Sequence, residues 1–179
     1  MSEQPRVVFG NLYEGFARGL GPRLTPEVKA AVKQAGLDFD KLPPAVPIDE
    51  ANRYSRLVGR LAFPEVPEPE AMRLLGLHAI RGWTQTTLGA AAAAMLRLIG
   101  PHRTLKRLDR AFQTTNNFNR ATTTVLGETE VLVTINDIYD MPTYWQGVLE
   151  AGLEILRLEG TVVLERQDDP TGTFHITWK

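Results

Sequence analysis

The sequence predicts an α+β fold, a helical layer packed on one face of a small antiparallel sheet, and three observations carry that expectation. Apolar residues recur at helical spacing through the first two thirds of the chain. After Asn116-Asn117 the pattern changes to period two. One further helical stretch then separates two β-branched runs, so the order reads helices, hairpin, helix, hairpin. Helices laid on one side of a sheet are the simplest way to bury all of these stripes.

Each element has its own signal. Val8–Leu20 places Leu12, Phe16 and Leu20 on one stripe, with Phe9 and Tyr13 beside it. Gly10, Gly15 and Gly19 weaken that helix by roughly 1 kcal/mol each relative to alanine. Packing must therefore hold it, and another backbone can come close. Thr25 can cap the next helix, Pro26 suits its first turn, and Gly36 closes it. After the crossing at Pro43, Pro44 and Pro47, Asp49 is the expected cap of a helix carrying Tyr54, Leu57, Val58 and Leu61.

From Glu70 the helical pattern is expected to continue almost to Ile99, with a bend near Gly76 or Gly82. Leu88–Ile99 is apolar nearly all round, which predicts a place in the middle of the domain. Gly100-Pro101 breaks the chain, and His102–Phe112 reads as a shorter basic helix. Ala121–Leu126 and Glu130–Ile135 flank Gly127 as a hairpin. Pro142 opens a helix with capping-box spacing at Thr143 and Gln146, running to about Glu159 before Gly160. Val162–Arg166 and Thr173–Trp178 form the second hairpin, with Phe174, Ile176 and Trp178 on one face.

Bulk properties bound the class. With 179 residues, 43% hydrophobic and 23% charged, the chain suits one domain spanning residues 1–179, without a linker or internal repeat. Twenty Lys plus Arg nearly balance 21 Asp plus Glu, so no global field draws in nucleic acid or an anionic membrane. The absence of cysteine excludes disulfides, thiolate nucleophiles and thiolate metal sites. No signal-peptide pattern opens the sequence, and Leu88–Ile99 is too short to span a bilayer. The cytoplasm is the expected compartment.

Motifs for catalysis or metal binding are not found. His78, His102 and His175 form no paired-ligand spacing; His78, on the long helix, is a packed or surface residue or, as the alternative, a haem or metal ligand, and His175 reads as structural. Ser55 sits in R-Y-S-R, not in a nucleophile elbow. The pairs Glu68/Glu70, Asp137/Asp140 and Asp168/Asp169 lie in turn-like sequence, where such residues are ordinary turn chemistry. Arg103, Lys106, Arg107 and Arg110 fall at i, i+3, i+4 and i+7 and predict one basic ridge, either a solvated face or a contact for an acidic protein partner. No aromatic side chain interleaves it to stack bases, so nucleic acid is not expected. Aromatic residues share helices with many small ones, which is core packing or the lining of a cavity for a small apolar ligand.

The sequence also resembles a myxobacterial family of paralogous proteins grouped as domain of unknown function 2378. The resemblance rests on Val8–Leu20, the helix start at Glu70–Leu75, Thr87-Leu88-Gly89, and Gly100–Leu105 continuing through Phe112 to Asn116-Asn117-Phe118. Tyr144-Trp145-Gln146-Gly147 and Ile176-Thr177-Trp178 complete it. The element order is more distantly similar to vinyl-reductase-type sensor domains, TRAPP trafficking subunits and haem nitric-oxide sensors. Those resemblances imply a ligand-binding domain that dimerises through helices. Neither group's cofactor carries over, because Tyr54-Ser55-Arg56 is not the Y-x-S-x-R motif of the haem branch and there is no cysteine for the vinyl-reductase metal site.

The expected function is a non-enzymatic sensor or regulatory domain, a homodimer holding a small apolar ligand between the long helix and the sheet. Tyr13, Phe16, Trp83, Met95, Phe118 and Trp145 are the candidate ligand residues. No catalytic residue, metal site or cofactor is expected. The alternative is a scaffold in a signalling or trafficking complex, with Arg103, Lys106, Arg107 and Arg110 meeting an acidic protein.

Overall fold

A computed structural model describes residues 4–179. The chain opens with a short strand β1 (Val7–Phe9), paired antiparallel with β2 (Ala45–Pro47). Strands of three residues are too short to show a period, so neither was predicted. Helix α1 accordingly begins at Gly10 and runs to Leu20, rather than starting at Val8. Helix α2 (Pro26–Gln34) has the expected punctuation: Thr25 Oγ1 accepts from the Val28 amide at 3.3 Å, and Gly36 turns the chain at φ +116°. Helix α3 (Ile48–Ala62) is preceded by Pro47, so Asp49 lies in the first turn and faces the dipole instead of capping.

The long helix expected from Glu70 to Ile99 is two helices. Helix α4 (Glu68–Trp83) ends at Thr84–Thr86, and α5 (Thr87–Ile99) restarts from Thr86, whose Oγ1 accepts from the Gly89 amide at 3.0 Å. The basic segment also divides, into α6 (Pro101–Leu105) and α7 (Leu108–Phe112), because Lys106-Arg107 forms a turn between them.

Both predicted hairpins are present and join into one sheet. Strands β3 (Ala121–Gly127), β4 (Glu130–Ile135), β5 (Gly160–Asp168) and β6 (Thr171–Trp178) are all antiparallel, in the order β3-β4-β6-β5. Val131 pairs with Ile176 and Val133 with Phe174, and all four are fully buried on one face. The other face is largely polar, with Val163 exposed among polar neighbours: Thr134 and Thr173 hydroxyls lie 3.0 Å apart, and His175 Nε2 is 2.7 Å from Glu130 Oε1. Alternation along β4 and β6 thus makes the sheet one-sided, as the sequence predicts. Helix α8 (Pro142–Leu156) covers its inner face, ending before Glu159 where Arg157 adopts φ 60°. Thr143 and Gln146 form no capping box, since no side chain caps that helix.

Helix α4 lies between α1 and α8 with backbones almost touching. A Cβ added at Gly82 would meet the Gly15 carbonyl oxygen at 2.0 Å, and one at Gly147 would meet the Arg73 carbonyl oxygen at 1.9 Å. The close approach foreseen for Gly15 and Gly19 is therefore real, and α4 supplies the partner surface. Arginines of α4 clamp α8 beside this seam: Arg73 Nη1 donates to Glu150 at 2.5 Å, and Arg81 donates twice to Glu154, at 2.8 and 2.5 Å.

Helix α5 corrects the expectation for Leu88–Ile99. It lies at the periphery, with Leu88 82%, Met95 55% and Leu98 88% exposed, and only Gly89 and Ala93 buried. The space assigned to it beside the sheet is filled by α8. Among the described residues no helix is long and apolar enough to cross a membrane.

A candidate functional site in the aromatic core

Four of the six candidate ligand residues fall on one chain of touching rings. Tyr13 and Phe16, on α1, meet edge-to-face at 5.6 Å between centroids. Phe16 reaches Tyr144 at 6.5 Å, and Tyr144 reaches Trp145 at 5.8 Å, both on α8. From Trp145 the chain branches to Phe112 at 5.0 Å and to Tyr139 at 6.1 Å, and Tyr139 meets Phe118 at 5.2 Å. Trp83 and Met95 are elsewhere. Trp83 is half-buried at the end of α4, and Met95 points from the exposed face of α5.

Burial dictates the chemistry of these rings. It pushes the phenols of Tyr13, Tyr139 and Tyr144 well above the usual tyrosine range, and for Tyr139 the nearby Asp137 carboxylate adds to the rise. All three therefore remain neutral donors near pH 7. Tyr139 donates to Asn119 Oδ1 at 2.5 Å, but the Tyr13 hydroxyl and the Trp145 indole Nε1 are buried without a hydrogen-bond partner. A buried donor left unpaired costs about 1–3 kcal/mol. Each of these two donors is a point in the core where an acceptor atom would be stabilising.

Space beside the rings is small. A cavity of about 30 Å³ is lined by Val8, Leu12, Ser55, Tyr139, Met141 and Tyr144 among others. A larger, half-open cleft of about 180 Å³ lies outside the aromatic core, among Ile80, Arg81, Thr84, Arg97, Glu154 and Ile155. Between the sheet and the helices the core is filled by Trp145, Phe174, Ile176 and their neighbours.

Sequence reasoning missed Tyr139. It sits in the loop after β4 at φ 53°, beside Asp140 at the same angle, where no periodicity points to it. Its surroundings are polar and ordered. Arg6 pairs with Asp137 and lies 4.7 Å over the Phe118 ring, and Asn119 Nδ2 donates to the Asp137 carbonyl at 2.8 Å.

The remaining groups do not converge. His78 Nδ1 lies 2.7 Å from the Gly19 carbonyl oxygen, and His102 Nε2 lies 2.7 Å from that of Glu128, with His102 Nδ1 buried and unpartnered among the described residues. Glu68 and Asp140 both face Arg56, at 2.8 and 3.6 Å, and Glu70 faces Arg73. Each of these three carboxylates is thus matched to a cation rather than to another acid. Among the described residues no group of three His, Asp or Glu could hold a metal ion. Arg103, Lys106, Arg107 and Arg110 are all exposed, and among the described residues none forms an ion pair. The turn at Lys106-Arg107 makes them a bent patch rather than the straight ridge expected.

This fold is that of H-NOX domains. A doubly substituted H-NOX domain designated Tt superposes with a TM-score of 0.74 at 16% identity, over 96% of this chain and 95% of that one. An oxygen-binding H-NOX domain related to soluble guanylate cyclases, in its oxygen complex, gives 0.67 at 15% identity, over 94% and 92%. A protein studied for modulation of haem redox potential through porphyrin distortion gives 0.68 at 16% identity, again over 94% and 92%. Identities this low establish the fold alone. No curated protein matches the sequence. A family model described as protein of unknown function (DUF2378) matches residues 6–179, and the chain belongs to that family.

Proposed function

We propose that this protein is a non-catalytic sensor domain that responds to a small, largely apolar ligand carrying an acceptor atom. The observation that carries the reading is the pair of unpartnered buried donors, Tyr13 Oη and Trp145 Nε1, within one ring chain. An acceptor atom delivered to either donor replaces an unsatisfied buried group with a hydrogen bond. The end-to-end likeness to an oxygen-binding H-NOX domain supports the same reading.

Haem does not fit the chain as folded. His78 Nδ1 meets the Gly19 carbonyl and His175 Nε2 meets Glu130 on the outer face of the sheet. His102 meets the Glu128 carbonyl through Nε2 and keeps Nδ1 buried without a partner, with no porphyrin-sized space beside it among the described residues. The 180 Å³ cleft is smaller than the roughly 300 Å³ at which small-molecule pockets begin. A ligand at the aromatic chain must be far smaller than a porphyrin, or must part the rings as it enters.

Native mass spectrometry of protein taken directly from cells, followed by solvent extraction, tests the proposal. A bound small molecule lost in Tyr13→Phe and in Trp145→Phe is the expected result. Protein that is consistently empty, and whose thermal stability no small acceptor-bearing molecule raises, would overturn it.

A further inference from the structure

Whole-chain charge hides a strong local segregation. From residue 71 to residue 127 there are eight Lys or Arg and one carboxylate, Asp109, although the complete chain carries −1. Within this stretch Arg73 and Arg81 are paired to Glu150 and Glu154, and Arg97 Nε donates to the Ile155 carbonyl at 2.7 Å. Arg103, Lys106, Arg107 and Arg110 are left facing solvent.

The same stretch holds five of the six exposed large apolar side chains of the described residues. Leu88, Met95 and Leu98 are spaced i, i+7 and i+10, on one face of α5 with Ala91 between them, over a helix about 20 Å long. Gly100-Pro101 joins this face directly to the cationic α6–α7 turn. The β3–β4 hairpin is tied to α6 through His102 Nε2 and the Glu128 carbonyl, and it exposes Val125 and Leu126 near its tip. Asp109 is occupied by Gln113, which donates to it at 2.7 Å.

We propose that α5 and the α6–α7 turn form a peripheral docking surface for an anionic lipid bilayer. Leu88, Met95 and Leu98 enter the boundary between headgroups and acyl chains, while Arg103, Lys106, Arg107 and Arg110 meet lipid phosphates. The face is a convex helix with cations beside it, the pattern of interfacial helices, whereas a helical protein partner is ordinarily received in a groove. A second copy packed on α5 would set two surfaces without carboxylates against each other, leaving the cations unmatched. This surface shares helix α7 with the aromatic chain through Phe112, but none of its contact residues is a ring of that chain, and the proposal does not rest on a ligand there.

Cosedimentation of the full chain with vesicles tests the assignment. Binding to phosphatidylcholine mixed with phosphatidylserine, absent with phosphatidylcholine alone and weakened by salt, is expected. Arg103→Glu combined with Arg107→Glu should lower binding about a hundredfold, and Leu88→Ser combined with Leu98→Ser about tenfold, with unchanged thermal melting in both. No binding to anionic vesicles would overturn the proposal. So would capture by an acidic polypeptide in place of vesicles, or concentration-dependent dimers abolished by Leu88→Ser and Leu98→Ser.

Discussion

Helices α4 and α5 are consecutive, similar in length and rich in small residues, yet they have opposite fates. On α4, Gly76, Ala79 and Gly82 lie against backbone of α1 and α8, and each glycine removes a side chain that would collide with a carbonyl. On α5 the small residues are mostly alanines, whose outward side meets nothing. Content of small residues therefore says little about burial. What decides it is whether two helices cross at the small positions, and α4 alone has helices on both sides.

The sharpest way to break this contrast is to put a side chain into the seam. Gly82→Val should cost about 3 kcal/mol or more, because its Cβ would collide with Gly15 and Gly19 backbone that the packed helices cannot move cheaply. Urea unfolding measures it, and a loss below about 1 kcal/mol would mean the seam is loose. The aromatic side of the stack responds to alkali. Tyr13, Tyr139 and Tyr144 hold their protons more tightly folded than unfolded. Their contribution is complete below about pH 10 and is lost as pH rises past it, when the unfolded chain ionises first. Each tyrosine steepens that decline by about 1.4 kcal/mol per pH unit, and Tyr13→Phe should flatten it by one tyrosine's share.

At neutral pH, Tyr13→Phe should raise the stability of ligand-free protein by about 1 kcal/mol, since it removes an unpaired buried hydroxyl. Loss of stability instead would mean that the hydroxyl has a partner, such as water. The smallest effect belongs to α5, where Leu98→Ser should change unfolding free energy by no more than about 0.5 kcal/mol. A larger cost would mean that this face is covered in solution.

The fold was largely legible in the sequence because its signals are local. Period-two alternation placed Phe174, Ile176 and Trp178 on one buried face, and Thr25-Pro26 marked a helix start that the structure keeps. The position of α5 was not legible, since an all-apolar helix reads as central whether or not anything covers it. Its restart at Thr86 lay in an ordinary run of threonines. The aromatic chain was legible in part. Tyr13, Phe16 and Trp145 sit on helical stripes, but Tyr139 reaches the rings from a loop in left-handed conformation, which stripes do not report. The basic patch was found as a motif, while the scarcity of acids over residues 71–127 was masked by counting charges over the whole chain.

The thin attachment of α5 sets an order for local opening. Its polar ties to the remainder include Arg97 to the Ile155 carbonyl and Thr104 Oγ1 to the Leu96 carbonyl, with Ala93 its one buried alanine. Amide hydrogens of α5 should trade with deuterium well before those of α4, at a free energy far below that of global unfolding. A segment that lifts away on its own gives this domain an outer part able to respond to its surroundings while the interior stays closed.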